Sequence, residues 1–282
     1  MKSIKKIAAV AAALTAAVTL SGCVAAESTD GIPDNGNEIV GDGGVLPPEA
    51  EAPETELPDN QKPPAQPVPQ VKKASYVNVT TSGVNIRSGA GTGYAVKGSA
   101  QKSTMYALNG ESDGWIKTGY KNGSAYISSK YCNKVEMTAS DDERIEAVIA
   151  EGTKLLGTVY VLGAVRYHDG DGKLLKGFTT DKFDCSSLMQ YIFYKGAYVK
   201  LQLTTRTQIY QGKTVTKSQL KRGDLMFFTN AQRKDKVGIE RVGHVALYLG
   251  DNWILHTASD YAKIEQISST RWSYFIQGQR IF

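Results

Sequence analysis

The chain has 282 residues, with 33 Lys and Arg against 28 Asp and Glu, three His and three Cys, and its formal net charge is +5. This length suits one or two domains. Three widely separated cysteines exclude the dense disulfide framework of a small secreted scaffold, and the sequence contains no CxxC or HExxH motif that would indicate a zinc site. We therefore expect no metal and no cofactor.

Charge and proline divide the chain into three zones. Residues 1–22 contain three Lys and no acid, residues 23–70 contain all nine Pro and have a net charge of -9, and residues 71–282 have a net charge of +11. The positive charge of the last zone is dispersed and no nucleic-acid-binding motif accompanies it, so we expect no nucleic-acid partner.

The first zone has the pattern of an export signal. Three Lys precede Ile7 to Leu20, an uncharged apolar stretch that is too short for an ordinary membrane-spanning helix. The next residues, Leu20 to Cys23, resemble a bacterial lipobox. The resemblance implies a signal peptide over 1–22, cleavage before Cys23 and lipidation of Cys23, which would anchor the protein to the outer face of the bacterial cell membrane. The alternative is a plain signal peptide followed by a chance Cys.

Residues 23–73 are predicted to form a disordered tether. They are rich in Pro, Glu, Asp, Gly and Asn, and hold too few large apolar side chains to offset the entropy lost on ordering. At about 3 Å per residue, the tether would reach on the order of 100 Å from the membrane. This reach suits a target in the cell wall.

Residues 74–136 are predicted to form a small all-β domain. Short β-prone segments alternate with turn residues, and three sequence motifs resemble a bacterial SH3-like domain: Val84 to Gly89, Gly114 to Lys117 and Ala125 to Tyr131. Residues 71–137 contain nine basic and three acidic residues, so this domain would bind anionic cell-wall polymers. The alternative is a spacer or a lid without a ligand. We expect Trp115 to lie in the core.

The third part begins with two predicted helices. Ser140 to Glu143 has the spacing of a capping box, and the apolar periodicity that follows predicts a helix ending near Gly157. Asp184 is the predicted N-cap of the second helix, which places Cys185 in its first turn. Unpaired N–H groups and the helix dipole favour a thiolate at that position, so Cys185 is a candidate nucleophile.

A predicted β-hairpin follows, with His244 on its first strand and His256 on its second. If residues 250–252 form a three-residue loop, Ala246 lies opposite His256, and the two histidines are diagonal neighbours on one face. A two-residue loop would shift the register by one residue and separate them. One Cys at a helix start with two histidines on one sheet face is the composition of a cysteine nucleophile, its base and the residue that orients the base.

Residues 138–282 resemble the NlpC-type cell-wall cysteine peptidases. The motifs that carry the resemblance are Gly157 to Tyr160, Phe183 to Leu188, Arg222 to Leu225, Gly243 to Gly250 and Ile254 to His256. The resemblance implies an α+β, papain-like catalytic domain after the small all-β SH3-like barrel. It also implies a monomer that cleaves the bond between γ-D-glutamate and diaminopimelate or lysine in peptidoglycan stem peptides. Residues 166–181 form a polar stretch that departs from the family pattern.

The same resemblance implies the site residues. Cys185 would be the nucleophile, His244 the general base and later acid, and His256 the residue that fixes the His244 ring. Tyr160 would add a hydrogen-bond donor to the oxyanion hole.

In the family, the residues on either side of the nucleophile, here Asp184 and Ser186, help to hold the substrate. Two alternatives stay open at this point. One is a related amidase of the CHAP type, which cuts between the lactyl group and L-Ala, and the other is a wall-binding adaptor without activity.

Overall fold

The computed structural model describes residues 71–282. The predicted signal peptide, the lipidation site at Cys23 and nearly all of the tether therefore lie outside the described residues. Within 71–282, every helix is too short or too polar to cross a lipid bilayer.

The first part of the described chain consists of strands and one 3-10 turn, so the predicted all-β character is confirmed. The sequence predicts strands at Tyr76–Thr80, Gly83–Arg87, Thr104–Asn109, Gly114–Thr118 and Ser124–Ser128, and each of these five overlaps an observed strand. The strands at Val96–Ala100, Gly110–Ser112 and Cys132–Thr138 were not predicted. The strands are β1 (Lys73–Val79), β2 (Val84–Arg87), β3 (Val96–Ala100), β4 (Thr104–Ala107), β5 (Gly110–Ser112), β6 (Trp115–Tyr120), β7 (Gly123–Ser128) and β8 (Cys132–Thr138). The SH3-like assignment stays a prediction.

The second part mixes helices and strands, as predicted for an α+β fold. Its helices are α1 (Glu143–Lys154), α2 (Cys185–Ala197), α3 (Thr205–Gln208) and α4 (Ser269–Ser273). Its strands are β9 (Val159–Tyr160), β10 (Lys182–Phe183), β11 (Lys213–Val215), β12 (Leu225–Phe228), β13 (His244–Gly250), β14 (Trp253–Ala258), β15 (Tyr261–Gln266) and β16 (Phe275–Arg280). Short 3-10 turns occupy Ser129–Tyr131, Lys217–Gln219 and Gly238–Arg241.

One sheet runs through both parts of the described chain. Its main path has the order β11-β16-β12-β13-β14-β15-β4-β1-β8, and the short strands β9 and β10 join it beside β15. The sheet passes from one part to the other through the antiparallel pairing of β15 with β4, in which Ile264 lies opposite Met105 and Glu265 opposite Thr104. The remaining strands form a five-stranded sheet in the order β3-β2-β7-β6-β5. The boundary predicted near residue 137 therefore lies inside a continuous sheet.

Helices α1 and α2 pack against each other, and α2 packs on β13 and β14. One face of α2 is apolar and fully buried, with Leu188, Ile192 and Phe193 at its centre. The two helices approach closely at Gly196, where an added Cβ would lie 2.5 Å from the backbone N of Val148. The packing of α2 on β13 places the N-terminal end of α2 against the strand that begins with His244.

Two local predictions were wrong. The N-cap of α1 is Asp142, whose side chain accepts a hydrogen bond from the Arg144 N–H, so Ser140 does not cap the helix. Asp142 stands immediately before the helix, in extended conformation, whereas Ser140 lies two residues earlier. Trp115 is partly exposed and lines a groove with Tyr131, because β6 places its side chain on the outer side of the smaller sheet.

Candidate active site

Cys185 is the first residue of α2, as predicted. Asp184 precedes it in extended conformation and caps the helix: its carboxylate accepts a hydrogen bond from the Ser187 N–H at 2.8 Å, and its own N–H donates to Ser187 Oγ at 2.9 Å. This reciprocal pair of bonds fixes the start of the helix at Cys185. The backbone N–H of Cys185 has no partner within the helix, as is usual for the first turn.

The predicted preference for thiolate is wrong for this structure. Cys185 is only 8% exposed, and burial raises the pKa of its thiol to about 12. The charge of Asp184 adds to this rise, while the N–H groups of Val245 and Ser186 and the charge of Arg166 oppose it. A helix dipole stabilises a charge by roughly 0.3–1 kcal/mol, up to about 2 kcal/mol, which is less than the cost of burying a thiolate. Cys185 therefore rests as a neutral thiol, which would need a base to act as a nucleophile.

The two histidines lie on one hairpin, and its register is the predicted one. Leu247 pairs with Leu255 and Tyr248 with Ile254, which places residue 246 opposite 256. The loop itself differs from the prediction, since Asp251 and Asn252 form a two-residue turn with φ of +47° and +67°.

A bulge reconciles these two observations. The register shifts by one residue between Tyr248 and Gly250, and this shift compensates for the shorter loop. The expectation that a two-residue loop would separate the histidines was wrong, because it assumed an uninterrupted ladder.

His244 and His256 are in direct contact. His244 Nε2 lies 3.0 Å from His256 Nδ1, the side chain of His256 is fully buried, and His244 is 8% exposed. Burial lowers the pKa of both rings, and each is lowered further by the charge of Arg271, while a hydrogen bond to Glu265 opposes the shift at His256. Both rings are therefore neutral at neutral pH, and His244 is able to accept a proton.

The Cys and His residues approach each other through β13. The N–H of Val245, the residue after His244, points at the sulfur of Cys185. Within residues 71–282, no hydrogen bond joins Cys185 Sγ to the His244 ring. Catalytic hydrogen bonds are often long in a substrate-free site. A missing hydrogen bond between Cys185 Sγ and His244 is therefore compatible with proton transfer once a substrate is bound.

Tyr160 lies near Cys185, the candidate nucleophile. Strand β9 pairs in parallel with β10, and this pairing aligns Tyr160 with Phe183, two residues before Cys185. Burial raises the pKa of Tyr160, and the nearby charges of Cys185 and Asp184 raise it further. The phenol therefore keeps its proton and is available as a hydrogen-bond donor.

A cleft of about 300 Å³ opens beside His244. Its walls are mostly hydroxyl, amide and aromatic groups, and Tyr160 and His244 both contribute to them. Arg271 is the one side chain with a permanent charge among the described residues that line it. The cleft is thus suited to a polar ligand that carries negative charge.

Asp184 and Ser186 do not line this cleft, and their side chains form hydrogen bonds with other groups of the protein. Both are 3% exposed, and Ser186 Oγ donates to Asp184 Oδ1 at 3.1 Å. The guanidinium of Arg166, from the polar stretch 166–181, lies 2.8 Å from Asp184 Oδ2 and also donates to Ser186 Oγ. A substrate contact by Asp184 or Ser186 stays a prediction.

The sequence interpretation missed three residues of this region: Arg166, Glu265 and Arg271. Glu265 Oε1 lies 2.9 Å from His256 Nε2, and Arg271 donates to the same oxygen at 3.2 Å. A signal for Glu265 was present, since residues 261–266 alternate and follow β14 after a short turn. With His256 opposite Lys263, Glu265 is its diagonal neighbour on the same face.

The chain is similar in sequence to several known proteins. Residues 157–280 match the model of the NlpC/P60 family. The chain is 29% identical over 173 residues to a gamma-DL-glutamyl hydrolase of Bacillus subtilis, which covers 61% of this chain and 37% of that protein. It is 30% identical over 145 residues to the peptidoglycan DL-endopeptidase CwlO of Bacillus licheniformis, which covers 50% of this chain and 29% of that protein.

Among solved structures, an NlpC/P60 family protein from Bacillus cereus aligns with 74% of this chain and 63% of its own, at 21% identity and a TM-score of 0.39. The chain spans about a third of the length of the two curated relatives. The stretch that matches the NlpC/P60 family model, residues 157–280, holds Tyr160, Cys185, His244 and His256.

Proposed function

We propose that the protein is a peptidoglycan hydrolase, a cysteine endopeptidase that cleaves the bond between γ-D-glutamate and the diamino acid of stem peptides. The observation that carries this proposal is the buried thiol of Cys185 at the start of α2, held against the strand that begins with the neutral base His244. The names of the two curated relatives, a glutamyl hydrolase and a DL-endopeptidase, support the choice of bond.

The reaction begins with a proton transfer. His244 takes the thiol proton of Cys185 as the sulfur attacks the γ-glutamyl carbonyl carbon, because the buried thiol does not ionise alone at neutral pH. The Cys185 N–H and the Tyr160 hydroxyl donate to the developing oxyanion.

The tetrahedral intermediate then collapses. The carbon–nitrogen bond breaks and His244 returns the proton to the leaving amine, which gives a thioester on Cys185. Water, deprotonated by His244, hydrolyses the thioester and releases the new carboxylate and the thiol.

The charge of the cleft supports an acidic substrate. A γ-linked D-glutamate keeps its α-carboxylate free, next to the bond that is cut. Arg271 is the cleft residue that can pair with such a carboxylate, since a guanidinium presents a planar set of donors. An ordinary α-linked glutamate would place its carboxylate at the end of the side chain, farther from the scissile bond.

The test is digestion of purified peptidoglycan and of a synthetic L-Ala-γ-D-Glu-diaminopimelate tripeptide, with products identified by mass spectrometry. Wild-type protein is expected to release a new D-Glu carboxyl terminus. Cys185→Ala is expected to release none, while Cys132→Ala, which removes the other described thiol, retains the activity. An intact stem peptide that is released from peptidoglycan with a free L-Ala amino terminus would instead show an amidase. Wall binding without any new terminus would show an adaptor.

The proposal includes anchoring at the membrane. Lipidation of Cys23 would tie the protein to the outer face of the cell membrane, and the acidic tether would let it reach the wall. Replacement of Cys23 by Ala is expected to move the protein from the membrane fraction to the medium or the wall. Retention in the membrane fraction would rule out this anchor.

The proposal also gives the first part of the described chain a role in wall binding. A groove of about 500 Å³ on this part is lined by aromatic and basic side chains, among them Trp115, Tyr131, Arg87 and Lys130. This combination suits anionic polymers. Co-sedimentation of Cys185→Ala protein with purified walls tests it, and loss of charge at Arg87 and Lys130 is expected to weaken binding and its salt dependence.

A further inference from the structure

The two site histidines belong to a longer chain of hydrogen bonds that ends at Glu265. His244 Nε2 lies 3.0 Å from His256 Nδ1, and His256 Nε2 lies 2.9 Å from Glu265 Oε1. The His256 ring is fully buried, so these contacts are its partners in the structure. The order of groups along the chain is thus base, second imidazole, carboxylate.

The ionised carboxylate of Glu265 determines which nitrogen carries each proton along this chain of hydrogen bonds. An ionised carboxylate only accepts hydrogen bonds, so His256 Nε2 must carry the proton that it shares with Glu265. A neutral imidazole has one N–H, which leaves His256 Nδ1 as an acceptor. His244 Nε2 must then donate to it. The remaining nitrogen, His244 Nδ1, therefore has a free lone pair, which is what a general base needs.

Glu265 is held in the ionised form by its surroundings. Burial alone would raise its pKa, but the hydrogen bond from His256 and the charges of Lys263 and Arg271 outweigh burial and lower the pKa to about 2. Lys263 lies on the same strand, with Nζ 3.5 Å from Glu265 Oε2, and Arg271 lies on α4, 3.2 Å from Oε1. The carboxylate is therefore ionised at neutral pH, where both histidines are neutral.

Strand pairing fixes the carboxylate in place. Glu265 lies on β15 between two partners, β14 on one side and β4 on the other, where it is opposite Thr104. Its side chain has a second constraint in Arg271, which also lies 5.9 Å over the Phe228 ring. A residue held on both sides by a sheet is suited to orient another group precisely.

We propose that Glu265 is a positioning residue of the peptidase reaction, which acts through His256 to hold His244 in the tautomer that has Nδ1 unprotonated. This inference rests on the proposed function, since it assigns Glu265 a part in the same site. Glu265 also stabilises the positive charge that the histidine pair acquires when His244 takes the thiol proton. It does both without touching the substrate.

The direct test is the protonation state of the ring nitrogens, measured by two-bond ¹H–¹⁵N correlation NMR on the full-length protein. The chain has three histidines in all, His168, His244 and His256, so the spectrum is small enough to assign by substitution of each. Wild-type protein is expected to show Nε2-protonated rings for both His244 and His256. A proton on His256 Nδ1 would overturn the proposal, and this result is read on the wild-type protein once its signals are assigned.

The kinetic test uses Glu265→Gln, which keeps the shape and removes the charge. We expect kcat/KM on the stem tripeptide to fall about 10- to 100-fold, mainly through kcat. The acidic limb of the kcat/KM profile should move to lower pH. Without the carboxylate, the positive charges of Arg271 and Lys263 are left to disfavour the imidazolium. A residue that only supported the fold would lower activity without moving this limb.

Glu146→Gln is the matched control, because the Glu146 carboxylate pairs with Arg222 and contacts neither site histidine. It should leave the tautomers and the acidic limb unchanged. Unchanged tautomers and an unchanged limb in Glu265→Gln would overturn the inference. Expected tautomers in a wild-type protein that cleaves no stem peptide would instead overturn the proposed function and leave the hydrogen-bond assignment standing.

Discussion

Arg222 joins three parts of the described structure, and its replacement by Met is predicted to destabilise the protein more than any exposed substitution. Its guanidinium donates two hydrogen bonds to the Glu146 carboxylate, at 2.6 and 2.8 Å, one to the Tyr76 hydroxyl at 2.8 Å and one to the Leu249 carbonyl at 2.7 Å. These partners lie on α1, on β1 and on β13. The side chain of Arg222 is 7% exposed. Water therefore has little access to the hydrogen-bonding groups that its substitution would leave without a partner.

The size of the effect follows from what the change leaves behind. Removing one partner of a buried ion pair costs about 3–5 kcal/mol, because the other charge stays buried and unpaired. The Glu146 side chain is 29% exposed and regains part of its hydration, so the lower end, about 3 kcal/mol, is expected. For a folded part of this size, that corresponds to a fall in Tm of about 6–12 °C.

The assay is urea and thermal unfolding followed by circular dichroism, with Arg222→Met, Glu146→Leu and the double variant compared. The double variant should lose less stability than the sum of the two single variants, because no charge is left without a partner. Strict additivity, or a loss below about 1 kcal/mol for Arg222→Met, would refute the reasoning.

The pH dependence provides a second check on the same pair. Burial raises the pKa of Glu146, but the hydrogen bonds and charge of Arg222 outweigh it, so the net shift is below the ordinary value of 4.5. A lowered folded-state pKa stabilises the protein above the unfolded pKa, and the stabilisation is lost as pH falls through the folded pKa. Wild-type protein should therefore lose stability below about pH 4.5 in a way that Arg222→Met does not.

Three further changes have defined outcomes. Tyr160→Phe removes the predicted oxyanion donor and is expected to lower kcat about 100-fold with little change in KM, and an unchanged kcat in steady-state assays would remove Tyr160 from the mechanism. His256→Leu deprives His244 of its partner and should lower kcat/KM by more than His256→Asn, which can still accept a hydrogen bond; equal losses would contradict an orienting role. Gly196→Ala places a methyl group against the Val148 backbone and should lower the free energy of unfolding by roughly 2 kcal/mol in urea titration, whereas a stabilised variant would show that the helices separate freely.

Local signals in the sequence predicted the parts of the site that depend on short-range structure. Asp184 is followed by an apolar helical pattern, which was enough to place Cys185 at the first position of α2. Alternation over residues 244–249 and 253–257 predicted the hairpin, and the predicted register of His244 and His256 was correct although the predicted loop was not. In both cases the decisive interactions lie within a few residues along the chain or across one hairpin.

The rest depended on contacts that are distant in sequence or on energies that a pattern does not give. The pairing of β15 with β4 joins residues about 160 positions apart. The local sequence of either strand does not indicate which other strand it pairs with. The rise of the Cys185 pKa reflects how deeply the helix start is buried, which the helix pattern does not report. The bulge before Gly250 was missed because a turn sequence fixes the loop but not the ladder beyond it.

The pairing of β15 with β4 affects how readily this protein would associate at high concentration or after truncation. An uncovered sheet edge exposes a row of unpaired N–H and C=O groups, on which strands of other molecules can assemble. Strand β4 covers part of the edge of β15, so we expect the N-terminal strands to limit edge-to-edge association of this sheet. A peptidase fragment that starts after residue 138 would expose this edge, with the hydrophobic side chain of Ile264 beside it. The first part of the described chain thus occupies a position on β15 that a strand of a neighbouring molecule could otherwise take.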